Sequence, residues 1–228
     1  MDIYELILEN REAIKIAYGI IIALICMIIT LKADRLFRLS LHQGIRYFRN
    51  AFFFFSLAFL VRYVAGTLLL LGYIHYAFYP LLKGVFEFFI IMAGFFLLYS
   101  LLWKKFESPI NPSPSSLLNR AVLIFYLMTM TILSLDYLWE TYHIMFASQI
   151  ILFLFTSIIS YINYKRNSEH KFAKYYFIAI FLSLITWILN AVVALYLDWS
   201  RAIVIDLYIL NILAFFVILI GAVSVTRK

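Results

Sequence analysis

The sequence predicts an all-α integral membrane protein, a bundle of seven transmembrane helices, and three observations support this fold class. Hydrophobic residues make up 65% of the chain and charged residues only 14%, whereas a soluble globular domain is nearer half apolar and a quarter charged. The apolar residues form seven stretches, each long enough to cross a hydrocarbon layer of about 30 Å. The connections are short, so residues 1–228 are predicted to form a single transmembrane domain.

The seven predicted spans follow one another with short polar or aromatic connections. They cover residues 14–31, 50–71, 81–103, 120–138, 144–161, 175–197 and 202–225. Residues 32–49 are a basic connection in which apolar and charged residues alternate, so we expect it to lie along the lipid headgroups. Pro80 suits the first turn of the third span. Residues 104–120 contain three prolines and four serines, which predict a loop. Aromatic residues near the span ends, Tyr18 among them, are typical of an interfacial belt.

Positive charge is distributed unevenly between the two predicted sides of the membrane. Of the 19 lysines and arginines, 14 fall in the tail and in the connections after spans one, three and five. They are Lys32, Arg35, Arg38, Arg46, Arg49, Lys104, Lys105, Arg120, Lys165, Arg166, Lys171, Lys174, Arg227 and Lys228. The positive-inside rule therefore predicts a multi-pass protein of the cell membrane, with its N-terminus outside and its C-terminus in the cytoplasm. The net charge of +7 does not indicate a nucleic-acid partner, because it is confined to short connections.

A shift of 128 residues aligns parts of the two halves without a gap. The shift pairs His42 with His170, Tyr47 with Tyr175, Ala51 with Ala179, Phe53 with Phe181, Val64 with Val192 and Leu69 with Leu197. Such a pattern predicts a 3+1+3 arrangement, in which two parallel three-helix repeats are joined by the fourth span. The alternative is that two aromatic-rich spans match by composition alone.

Arg62 is the most informative single residue, because it lies about 16 Å inside the outer end of its span when counted from Tyr73 at 1.5 Å per residue. An arginine at that depth costs at least a few kcal/mol unless it is paired, and such residues usually face the bundle interior. Glu87, at similar depth on the next span, is its expected partner. Lys83 also lies one helical turn from Glu87, but lysine before glutamate is the weaker order for a pair within one helix.

Further polar residues fall in the outer half of the predicted bundle. Asn190, Asp206 and Asn211 lie in the outer halves of spans six and seven. Because buried polar groups in a membrane need partners, we expect these residues to converge with Arg62 and Glu87 on an outward-opening, ligand-binding cavity. The alternative is a closed polar network that only locks the helices together.

The connection after the fourth span raises the question of a metal site. Asp136, Glu140 and His143 would share one face of a helical turn, and His75 could supply a further ligand. Spacing alone is weak support for a metal, so we expect a solvated acidic turn. No cofactor is predicted, since the seventh span lacks a lysine for a retinal Schiff base, and neither a phosphate-binding loop nor a nucleophile elbow is present.

Polar residues on the outer side and basic connections on the inner side favour a receptor-like or sensory module. A small polar or anionic ligand would bind from outside, and the basic connections would meet an acidic cytoplasmic protein or anionic lipid. A small-solute transporter of 3+1+3 architecture and a scaffold subunit of a membrane complex are the alternatives. An enzyme is the least supported class, and no catalytic residue is predicted.

Overall fold

A computed structural model describes residues 11–106, 117–139, 142–166, 171–196 and 201–226, and within these ranges the chain forms seven helices. They are α1 (Arg11–Ser40), α2 (Gln43–Phe59, continued by Leu60–Ala65 and Gly66–Leu70), α3 (Tyr79–Phe106), α4 (Arg120–Leu138), α5 (His143–Arg166), α6 (Lys171–Tyr196) and α7 (Arg201–Thr226). A short 3-10 turn, Tyr76–Phe78, precedes α3. The proline-rich loop predicted over residues 104–120 lies mostly outside these ranges.

The helices have the length and composition of membrane spans. In the described part of the chain, helices α1 to α6 are long and apolar enough to cross a membrane, and α7 contributes a shorter apolar helix, Leu207–Val223. No strand occurs in the described ranges. The all-helical, multi-pass membrane architecture is therefore confirmed, while the orientation and the internal repeat stay predictions.

The basic connection between the first two spans is helical and continuous with α1 and α2, while its expected position along the headgroups stays a prediction. Helix α1 runs for 30 residues to Ser40, about 45 Å at 1.5 Å per residue, which is longer than a hydrocarbon layer of about 30 Å. Leu41 then adopts a φ of +52° and donates its N–H to Phe37 O. Helix α2 begins two residues later. Neither proline nor glycine interrupts residues 32–40, and the helix therefore continues to a left-handed residue that ends it.

Helix α2 changes to π-helical geometry over Leu60–Ala65, the segment that contains Arg62 and Tyr63. A π-helical turn accommodates an additional residue in the helix, and such turns occur frequently at functional sites. Gly19 of α1 packs directly on this segment, and a Cβ added there would collide with the Cβ of Tyr63. The absence of a side chain at Gly19 thus permits the close approach of α1 to the π-helical segment.

Six helices form a closed ring with an aromatic centre, and α4 lies outside it. Neighbours in the ring follow the order α1, α2, α3, α5, α6, α7, and α7 returns to α1. Phe215 of α7 meets Phe52, Phe55 and Phe59 of α2 at ring-centroid distances of 5.5–6.1 Å. Helix α4 contacts α3 and α5, and only 17% of its span is buried, against 61% for the span that contains α3.

The two ends of the bundle differ in chemistry. We call the end at which α1, α3, α5 and α7 begin the cavity end, and the opposite end the basic end. Exposed cations at the basic end include Arg35, Arg38, Lys104, Lys105, Arg120, Lys165, Arg166 and Lys174. Asp34 there is bound to Arg49 at 2.5 Å and to Arg38 at 2.9 Å. The cavity end is the one that the charge distribution predicts to face outward.

Candidate functional site

A cavity of about 450 Å³ opens between the helices at the cavity end. This volume lies within the range of small-molecule binding sites, about 300–1,000 Å³. Four helices, α1, α2, α3 and α7, contribute its lining, together with the turn before α3 and the residue directly before α5. The lining residues are Lys15, Val61, Arg62, Tyr63, Gly66, Thr67, Leu69, Tyr76, Tyr79, Leu82, Lys83, Phe86, Tyr142 and Tyr208.

Three cations line this cavity, and they come from three different helices. Lys15 lies on α1, Arg62 on the π-helical segment of α2, and Lys83 on α3. The guanidinium carbon of Arg62 lies 4.7 Å from the centroid of the Phe86 ring, which is a cation–π distance. No described lining residue is acidic. A concave site with charges of one sign concentrates its field and attracts ligands of the opposite charge.

Tyrosine rings from three helices pack together beside Arg62, and two of them, Tyr63 and Tyr208, line the cavity. Tyr18 stacks on Tyr208 with centroids 4.1 Å apart, and Tyr63 meets Tyr18 edge-on at 5.0 Å. Tyr63 also contacts Tyr208 edge-on at 6.1 Å. Tyr18 is only 3% exposed. The prediction that Tyr18 belongs to an interfacial belt is therefore wrong, because its ring packs inside the bundle and supports the cavity wall.

Tyr142, directly before α5, covers the α3 side of the cavity. Lys83 Nζ lies 4.1 Å from the centroid of the Tyr142 ring. Burial raises the pKa of Tyr142 above its usual value, and a hydrogen bond with Tyr79 raises it further. The phenol is therefore neutral at physiological pH and offers an uncharged hydroxyl to a ligand.

Glu87 is buried next to the cavity-lining Lys83 and forms its ion pair with this lysine, while Arg62 also acts on it electrostatically. Its Oε1 is 3.8 Å from Lys83 Nζ, and the residue is 2% exposed. The expected pairing of Glu87 with Arg62 is corrected, because the guanidinium is stacked over the Phe86 ring.

The remaining predicted ligand-binding residues do not line the cavity in the described part of the chain. Asn190 donates its side-chain N–H to Thr186 O of its own helix at 2.8 Å. Asn211 lies on α7, where its side chain interacts with Tyr18. Asp206 lies in the first turns of α7, and its side chain is outside the described part of the structure. Arg62 is thus the only predicted ligand-binding residue among the described lining residues.

The residues considered for a metal do not gather into one site. Helix α4 ends at Leu138 and α5 begins at His143, so no continuous helical turn aligns Asp136 with His143. Asp136 is buried and accepts the N–H groups of Ile144 and Met145 at 3.0 and 2.7 Å, which caps α5 and corrects the expectation of a solvated turn. His75 is exposed and caps the 3-10 turn. Glu140 lies outside the described residues, and the described ones contain no metal-binding group of three or more such side chains.

In comparisons with known proteins, no family model, no curated relative and no solved structure matches this chain. The geometry of the cavity is accordingly the basis for a functional proposal.

Proposed function

We propose that this chain is a multi-pass membrane protein of the receptor-like or sensory class, which binds a small organic anion in the cavity. The observation that carries the proposal is the lining itself, with Lys15, Arg62 and Lys83 contributed by three helices and no acidic residue among the described ones. An arginine can bind a carboxylate through two parallel hydrogen bonds. In the predicted orientation the ligand enters from outside.

The rest of the lining favours an anion with an aromatic or apolar body. Five tyrosines, together with Phe86, Leu69 and Leu82, border the cavity. Tyrosine presents an apolar face with a polar edge, so it can contact both the ring and the charged group of an aryl carboxylate. A bare inorganic anion would leave these apolar faces uncovered.

Thermal unfolding of the purified full chain in detergent tests the proposal, with benzoate as the probe and benzamide as its uncharged analogue. A ligand that binds only the folded state stabilises it by about 2.7 kcal/mol at a hundred times its dissociation constant. We expect benzoate to raise the unfolding temperature and benzamide to have little effect. Arg62→Leu should abolish the benzoate shift.

Arg38→Leu is the matched control, because Arg38 is exposed at the basic end. It removes the same charge without touching the cavity, so the benzoate shift should remain that of the wild type. An equal shift in wild type and Arg62→Leu would defeat the proposal, as would an equal shift with benzamide.

A small-solute transporter is the second candidate, and the position of α4 favours it. Helix α4 lies outside the ring formed by the other six helices and contacts α3 and α5, where a linker between two three-helix repeats would lie. Uptake of radiolabelled benzoate into liposomes distinguishes the two candidates. Uptake that is lost in Arg62→Leu would support transport, whereas binding without uptake supports the sensor.

The basic end is proposed to meet anionic lipid or an acidic cytoplasmic partner. Its exposed cations include Lys104, Lys105 and Arg120, and each basic residue near an anionic bilayer contributes about 1 kcal/mol. Native mass spectrometry with added phosphatidylserine or phosphatidylcholine tests the lipid interaction. We expect phosphatidylserine to be retained preferentially and Lys104→Gln with Lys105→Gln to reduce that preference. Equal retention of both lipids would contradict the lipid interaction.

A further inference from the structure

Lys83 connects the cavity with a buried carboxylate. Its ammonium lies at the cavity wall, 4.1 Å from the centroid of the Tyr142 ring, and 3.8 Å from Glu87 Oε1. The Lys83 side chain is 15% exposed and that of Glu87 is 3% exposed. The Lys83 ammonium is therefore positioned to interact both with a ligand in the cavity and with Glu87.

Charged and titratable groups face Glu87 from each helix packed around it. Arg62 of α2 and Asp136 of α4 interact with Glu87 electrostatically, in addition to Lys83 of its own helix, and Glu87 in turn acts on Tyr142 before α5. Asp136 accepts two N–H groups at the start of α5. In the described part of the chain, no hydrogen-bond donor reaches Glu87 Oε1.

An anion in the cavity changes the charge balance at this carboxylate. A buried carboxylate is costly unless it is paired and hydrogen-bonded, and a further negative charge nearby favours its protonated form. An anion that interacts with Lys83 weakens the ion pair between Lys83 and Glu87 and adds a second negative charge nearby. Uptake of one proton by Glu87 restores the original net charge of the site.

We propose that binding of an anion in the cavity is coupled to protonation of Glu87, with Lys83 as the group shared between them. The coupling rests on the proposed anion site. The proton comes from solvent and converts the Glu87 carboxylate to a carboxylic acid, while Lys83 stays an ammonium and the bound anion is chemically unchanged. When an anion and a proton bind together, the net charge of the cavity does not change, which suits a site within a membrane.

Proton uptake can be measured directly by adding benzoate to the full chain in weakly buffered detergent solution with a pH indicator. Above about pH 6 benzoate stays ionised, because an ordinary carboxylic acid has a pKa of about 4. We expect up to about one proton to be taken up per benzoate bound, and affinity to fall by up to about ten-fold per pH unit over the same range. Glu87→Gln should bind benzoate without taking up a proton.

Lys83→Met and Lys15→Met form a matched pair, because each removes one lining cation and each should weaken benzoate binding. Only Lys83→Met should also abolish proton uptake, since Glu87 then lacks the cation that it shares with the ligand. Uptake that persists in Glu87→Gln overturns the coupling. Wild-type protein that binds benzoate without proton uptake at every pH from about 6 to about 9 would also overturn the coupling. That result requires no variant, and it would not contradict the anion site itself. Absence of benzoate binding in the wild type would overturn the anion site and the coupling together.

Discussion

A methyl group added at Gly19 is predicted to displace the π-helical segment that carries Arg62. Gly19 is buried in α1, and a Cβ built there would meet the Cγ of Tyr63 at 2.6 Å and collide with its Cβ. The Tyr63 Cβ is attached directly to the backbone, so a rotamer change cannot relieve the collision. Either α1 or the segment Leu60–Ala65 must move.

Gly84→Ala provides the reference for the size of this effect. Gly84 lies within α3, and a Cβ built there meets nothing within 4 Å. Both substitutions gain the helix propensity of alanine over glycine, about 1 kcal/mol. Only Gly19→Ala adds overpacking, which costs about 1–3 kcal/mol. The two variants should therefore differ by about 1–3 kcal/mol in the free energy of unfolding, with Gly19→Ala the less stable.

Reversible unfolding of both variants in one detergent, followed by benzoate titration, checks this prediction. We expect Gly19→Ala to unfold more readily than Gly84→Ala and to bind benzoate several-fold more weakly, because Arg62 and Tyr63 move together. Equal unfolding free energies and an unchanged benzoate affinity in Gly19→Ala would refute the idea that this contact positions the site.

Two further predictions concern a helix cap and a histidine at the basic end. Asp136→Ala should lower the free energy of unfolding by about 1–2 kcal/mol, because α5 loses its cap. Ser134 is an exposed position in the same helix, and Ser134→Ala should change the free energy of unfolding by no more than about 0.5 kcal/mol. Equal effects of the two substitutions would contradict the capping role of Asp136. Burial and the nearby charge of Lys104 lower the pKa of His42, so the unfolded chain binds a proton there more readily than the folded one. Stability should therefore fall as pH drops through the ordinary histidine value of about 6.5. His42→Gln should reduce the dependence of the unfolding free energy on pH in this range. Superimposable pH profiles of the wild type and His42→Gln would contradict the role of His42.

The number and the approximate positions of the helices follow from the sequence because each crossing requires a long apolar stretch. Arg62 could be singled out for the same reason, since a charge inside such a stretch is conspicuous. The ends of α1 could not be predicted equally well. Beyond Leu31 the apolar run stops, yet the helix continues because residues 32–40 contain no breaking residue.

The composition of the cavity depends on how each helix is rotated about its axis, which apolar spans do not reveal. Tyr18 resembles an interfacial residue in the sequence, but the structure stacks it on Tyr208 at 4.1 Å inside the bundle. The π-helical turn around Arg62 and the position of its guanidinium over the Phe86 ring have no signature in residue spacing, so the sequence did not reveal that Lys83 forms the ion pair with Glu87. Nothing in the sequence assigned Lys15 to the cavity, because its contribution to the lining follows only from the packing of α1 against α2 and α7.

The most direct test of an anion site in this cavity is an experimental structure determined with 4-iodobenzoate, in which the iodine can be located by its anomalous signal. We predict one site between α2, α3 and α7, with the carboxylate directed towards Arg62 and Lys83 and the ring against the tyrosines. Iodine found only at the basic end, near Arg38 or Lys104, with the cavity free of ligand at saturating concentration, would contradict the assignment.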